Sequence, residues 1–162
     1  MTFTESFLEE FDGEMAATRR MLERVPAANL GWKPHAKSKS LGELATHVTE
    51  LPRFGFRIKS DEWAAGSDKV PPMKSAADFL ARFDDNVRAA RESIAAMSEE
   101  DLSRDFTVTR GGQAFFTLKK RSLLRRLLLS HLIHHRGQLS VYLRLNDVPL
   151  PPIYGPTADE GM

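Results

Sequence analysis

Apolar residues recur along four stretches of the chain at alternating steps of three and four, the spacing that lays a stripe along one face of an α-helix. In the first stretch the stripe is Phe7, Phe11, Met15, Thr18, Leu22 and Val25. It predicts a helix over about residues 4–25, opened by a capping box between Thr2 and Glu5 and closed by Pro26. The second stripe is Leu44, His47, Leu51, Phe54 and Ile58. Its helix starts at a Ser40/Glu43 capping box and runs to about Lys59, with Pro52 expected to kink or break it. The third helix follows Ser75, with Asp78 at the box position and Phe79, Phe83, Val87, Ala90, Ile94 and Met97 as its apolar face. The fourth runs from about Lys119 to Asn146 on Leu124, Leu128, His131, His135, Gln138, Tyr142 and Leu145, and the prolines at 149, 151 and 152 stop it.

Between the third and fourth helices the pattern changes. Phe106, Val108, Phe115 and Phe116 are strand formers, and Arg110-Gly111-Gly112 supplies a tight turn, so a small β-hairpin or an irregular loop is expected there. The whole predicts an all-α protein, a four-helix bundle forming a single domain over residues 1–162. Connectors 27–39 and 61–74 are longer than bundle turns of about two to eight residues, so the topology need not be plain up-down-up-down.

Two of these stripes carry histidine where an apolar residue belongs. A buried ring without a partner costs about 1–3 kcal/mol, and one metal ion would satisfy His47, His131 and His135 together. His131 and His135 are four apart, hence on one helix face one turn apart. Three imidazoles leave a position open, the arrangement of catalytic sites. Leu132 stands where a zinc peptidase has its glutamate base, which argues against that class. His134 lies off the stripe and reads as a packing or interface residue, and His35 as a loop group. Glu43 either completes the Ser40 cap, the simpler reading, or takes the other ring proton of His47. Gln138 and Tyr142 continue the histidine face and either meet substrate or bond to backbone.

Composition narrows the chemistry. With 28% charged and 41% hydrophobic residues the chain is ordinary for a soluble globular protein. A net charge of +1 gives no reason to expect a nucleic-acid partner. There is no cysteine, so any metal is held by nitrogen or oxygen and any thiol must come from a cosubstrate. The N-terminus has no secretory pattern and no run approaches the about 20 apolar residues of a membrane span, so no membrane partner and a cytoplasmic location are expected. The last helix is apolar nearly all round, with Leu123, Leu127, Leu129, Leu132, Leu139, Val141 and Leu143 beyond its stripe. Such a face is covered either by a second copy, giving a homodimer, or by the hairpin.

The segment His131 to Gln138 (HLIHHRGQ), followed by Val148 to Pro156 (VPLPPIYGP), resembles the DinB family of bacterial proteins. The Trp32-Lys33-Pro34 loop and Leu41 to His47 (LGELATH) extend the likeness over the whole chain. The resemblance implies a four-helix bundle, often dimeric, with a divalent metal on three histidines, which fall on His47, His131 and His135. The wider superfamily includes enzymes that use low-molecular-weight thiols, among them a mycothiol-dependent isomerase and bacillithiol transferases. Its name implies no DNA binding.

The expectation is a metal-dependent enzyme acting on a small-molecule substrate, either a thiol transferase or a hydrolase. Zinc or nickel is the first choice of ion and iron the second, with a low-molecular-weight thiol as possible cosubstrate. The alternatives are a non-catalytic metal- or ligand-binding stress protein, or a dimeric bundle whose histidines are ordinary core residues.

Overall fold

Helix starts sit where the capping chemistry puts them. The computed structural model describes residues 2–161. Helix α1 (Phe3–Leu22) opens with Thr2 Oγ1 accepting from the Glu5 N–H at 3.2 Å, while the Glu5 carboxylate accepts from the Thr2 N–H at 2.7 Å. Helix α2 (Leu41–Glu50) repeats the device with Ser40 and Glu43, at 3.1 and 2.6 Å. Two of the backbone N–H groups that a helix start leaves unpaired are thereby satisfied each time.

Pro52 does what its missing N–H requires. Regular α-helix ends at Glu50, Leu51–Arg53 forms a 3-10 turn, and a short helix α3 (Phe54–Arg57) follows. Gly55 lets α3 lie directly on helix α4 (Ala76–Ala95): a Cβ there would stand 2.5 Å from Ala90 Cβ. A short helix α5 (Glu99–Ser103) is capped by Ser98 with Asp101.

Strands β2 (Asp105–Arg110) and β3 (Gln113–Lys119) form the expected hairpin. Its two turn residues, Gly111 and Gly112, have φ of 59° and 77°, the left-handed values such a turn demands. A third strand, β1 (Glu62–Ala64), pairs in parallel with β2 and completes a sheet of order β1-β2-β3. The final helical run is α6 (Lys120–Leu123), a π-helical stretch Leu124–Ser130, and α7 (His131–Leu145).

The expected all-α four-helix bundle therefore needs correction. The fold is mostly helical with a small three-stranded sheet, and the short helices α3, α5 and α6 stand beside the long ones. The physical reasons are local: Pro52 cuts the second helix, Ser98 caps a turn of its own, and β2 offers an edge to β1. One buried cluster takes Phe7 and Phe11 from α1, Leu44 and Val48 from α2, Phe79 and Phe83 from α4, Phe106 from β2, and Leu128 and Leu132 from the last run. Of the extra apolar residues on that run, Leu123, Leu129, Leu132, Leu139 and Leu143 are buried within the chain and Leu127 half-buried, whereas Val141 is exposed, as is Leu145 at the end of the stripe. The long face that suggested a second copy is largely used up inside one chain. No helix among the described residues is long and apolar enough to cross a membrane.

Candidate metal centre

Helices α2 and α7 bring the three seam histidines together. His131 Nε2 lies 3.3 Å from His47 Nε2 and 2.9 Å from His135 Nε2. One nitrogen from each ring fits within 4.8 Å of the others. A neutral imidazole nitrogen carries either a proton or a lone pair. His131 Nε2 cannot serve both neighbours, and three converging lone pairs repel. A cation removes the conflict. Four-coordinate metal–nitrogen bonds of about 2.0–2.1 Å put ligand nitrogens about 3.3 Å apart, close to what is seen. The donor set fits a divalent ion.

Burial keeps the three rings neutral. Burial, and then the like charge of His135 and His131, pushes His47 down to about 4. Burial likewise pulls His131 and His135 below the ordinary histidine value. At neutral pH all three rings are therefore free of the proton that competes with a metal.

The neighbours orient the rings. Gln138 Oε1 accepts from His135 Nδ1–H at 2.7 Å, which fixes the tautomer with the Nε2 lone pair toward the cluster. His131 Nδ1 is buried beside the Leu127 carbonyl one turn back, without a hydrogen bond of good geometry. The π-helical stretch ends directly before His131, and such widened turns re-aim the helix face that follows. Tyr142 donates to the Lys39 carbonyl at 3.3 Å and meets Trp32 edge-on, fastening the 27–39 connector to α7. Neither Gln138 nor Tyr142 lines the cavity described below. Glu43 is the cap residue, as the simpler reading had it. His134 is exposed against the edge of His135, and His35 accepts from the Lys37 N–H in its loop.

A cavity of about 390 Å3 opens beside the cluster, with His47 and His131 in its wall. Sequence reasoning missed the rest of that wall. Leu51, Phe54, Trp63, Val108, Phe116 and Leu127 supply apolar surface, and Glu50, Arg53, Arg57 and Asp68 a half-buried ionic network. The available signal was the i,i+4 pair Arg53 and Arg57, straddling an otherwise apolar stretch just after Pro52.

With fold and site in view, the family model for the DinB family matches residues 1–161, and the chain belongs to that family. It is similar to YrdA of Bacillus subtilis (strain 168), an uncharacterized protein, at 25% identity over 163 aligned positions, covering 95% of this chain and 89% of YrdA. It is also similar to YjoA of the same organism, likewise uncharacterized, at 26% identity, covering 89% of this chain and 91% of YjoA. Among solved structures, the DinB-like YjoA superposes with a TM-score of 0.73 at 22% identity, over 92% of this chain and 97% of that one. A DinB-like protein from Bacillus cereus ATCC 10987 gives 0.72 at 24% identity, over 93% and 97%. These likenesses establish the fold.

Proposed function

We propose that His47, His131 and His135 hold one divalent metal ion and that the protein is a metal-dependent enzyme acting on small molecules, with transfer of a low-molecular-weight thiol to an electrophile as its reaction. The observation that carries this reading is the convergence of three Nε2 nitrogens, two of them on rings that line a cavity. A divalent ion on three imidazoles lowers the pKa of a water or thiol at its remaining position, making a nucleophile available at neutral pH. The chain's own residues do the rest. Gln138 holds the His135 ring in register, and Phe54, Trp63 and Phe116 give the cavity an apolar wall.

Thiol transfer is preferred to hydrolysis because the cavity offers no uncommitted base among the described residues. Glu50 is held as an anion, against its burial, by Arg82 and Arg53. Asp68 is shared by Arg53 and Arg57. Leu132, directly after His131, is fully buried. A thiol needs less help from a protein base than water does, since its own pKa lies nearer neutrality. Zinc or nickel suits the all-nitrogen donor set, with iron next.

The test is elemental analysis of untagged protein for wild type and for His47→Ala, His131→Ala, His135→Ala and His134→Ala. About one equivalent of metal is expected in wild type and His134→Ala, and a loss in the other three. Conjugation of low-molecular-weight thiols to a model electrophile is then compared between loaded and metal-free protein. Absence of metal from wild type after reloading removes the reading. Bound metal with equal inertness across thiols and esters makes the protein a binding module instead.

A further inference from the structure

The cavity wall away from the histidines carries more positive than negative charge. In the wall, Arg53, Arg57 and the exposed Arg110 stand against Glu50 and Asp68, and the ionic network of those two carboxylates takes in Arg53, Arg57 and, from outside the wall, Arg82. Glu50 accepts from Arg53 at 2.7 Å and from Arg82 at 2.7 Å, and Asp68 accepts from Arg53 at 3.1 Å and from Arg57. Arg57 is the under-committed member. Its side chain is 12% exposed, yet among the described residues it donates only through Nη2, to Asp68. Its Nε and Nη1 carry no partner and are not sealed from accessible space, on a residue that lines the cavity. The guanidinium carbon lies 4.6 Å from the centre of the Trp63 ring and 5.2 Å from that of the Phe54 ring. Taking a cation out of water is costly unless it is paired and hydrogen-bonded, and half a carboxylate plus two aromatic faces pairs it only in part.

We infer that this cavity binds a small organic molecule with an apolar body and one oxyanion group, carboxylate or phosphate, the oxyanion taken by Arg57. The inference rests on the proposed function only in that the same molecule then presents its reacting end to the wall of His47 and His131. The free Nε–H and Nη1–H lie on separate edges of the planar guanidinium, and either offers an oxyanion a charge-assisted hydrogen bond beside the Nη2 that Asp68 holds. The apolar wall of Leu51, Trp63, Val108 and Phe116 takes the body. A volume of about 390 Å3 lies at the small end for ligand sites of about 300–1,000 Å3, which favours a small acid over a nucleotide or peptide.

Phenylbutyrate, phenylbutyl phosphate and phenylbutanol share a body and differ in the end group. Their binding is measured by isothermal titration calorimetry on the metal-loaded protein and on protein stripped with a chelator. At least one of the two anions is expected to bind about tenfold or more tightly than the alcohol, as a charge-assisted hydrogen bond does. Which anion wins decides between carboxylate and phosphate. The preference is expected to persist without metal, to fall to near one in Arg57→Gln, and to return in part in Arg57→Lys, with metal content unchanged in both variants. If Arg57→Gln does not fold, the wild-type ratio in stripped protein still decides. Equal binding of acid and alcohol, no binding of any probe, an anion preference that vanishes with the metal, or one that survives Arg57→Gln overturns the inference. Failure of the metal reading shows separately, as absence of metal in wild type.

Discussion

Gln138 lies outside the cavity wall and holds one ring of the histidine cluster. Removing the partner of a ligating imidazole typically weakens metal binding 10- to 100-fold. Gln138→Ala is therefore expected to fold normally and to lose metal by about that factor, read by competition with a chromophoric chelator. The histidines themselves predict a pH dependence. In metal-free protein His47 sits near 4 when folded and takes its ordinary value of 6.5 when unfolded. Between those values the unfolded chain binds the extra proton, so stability rises with pH through that window and is lost as pH falls from 6.5 toward 4. His131 and His135 shift the same way and add to the effect. Urea midpoints of stripped protein at a series of pH values check the sign, and His47→Ala should flatten the curve.

At the scale of elements, close packing around Pro52 is the sensitive point. Gly55→Ala drives a Cβ to 2.5 Å from Ala90 Cβ and 3.1 Å from Ile94 Cδ1, contacts that neither α3 nor α4 can yield without moving. A cost of about 1–3 kcal/mol is expected, measured by urea denaturation. Because α3 carries Arg57, a displaced α3 should also weaken anion binding more than metal binding. This region also shows what the chain discloses beforehand. The caps at Thr2, Ser40 and Ser75 were legible, since capping is chemistry between residues three apart. The histidines were legible because they interrupt an otherwise apolar stripe. Strand Glu62-Trp63-Ala64 was not, because three residues show no alternation and its partner Thr107–Thr109 is distant in sequence. The π-helical stretch Leu124–Ser130 was hidden in a leucine-rich run with no distinguishing residue. Arg53 and Arg57 were hidden because the direction of side chains after a proline break cannot be read from periodicity.

Across the whole molecule, buried charge ties the end of the chain to its beginning. Arg136, 3% exposed, pairs with the Glu14 carboxylate at 2.7 Å, donates to the Glu14 carbonyl and Thr18 Oγ1, and meets the Tyr154 hydroxyl. Tyr154 in turn donates to the Glu14 carboxylate at 2.8 Å. Farther along, Glu160 pairs with Arg24 and Asp159 with Arg144. Removing one partner of a buried pair costs about 3–5 kcal/mol. Arg136→Ala is expected to cost about 3 kcal/mol, the lower end, because Glu14 lies near enough to the surface to be rehydrated. Thermal unfolding with and without the variant measures it. Arg136 is one residue past His135, so a loosened tail should also be seen as weaker metal retention. The two ligand-bearing helices, for their part, come from positions 84 residues apart in the chain. No short fragment contains the site, so an ion held there binds the folded chain alone and draws the equilibrium toward it. At a hundredfold excess over the dissociation constant that pull is about 2.7 kcal/mol. The melting temperature of the protein would then track the free metal concentration around it, and a cell starved of that metal would hold less of this protein folded.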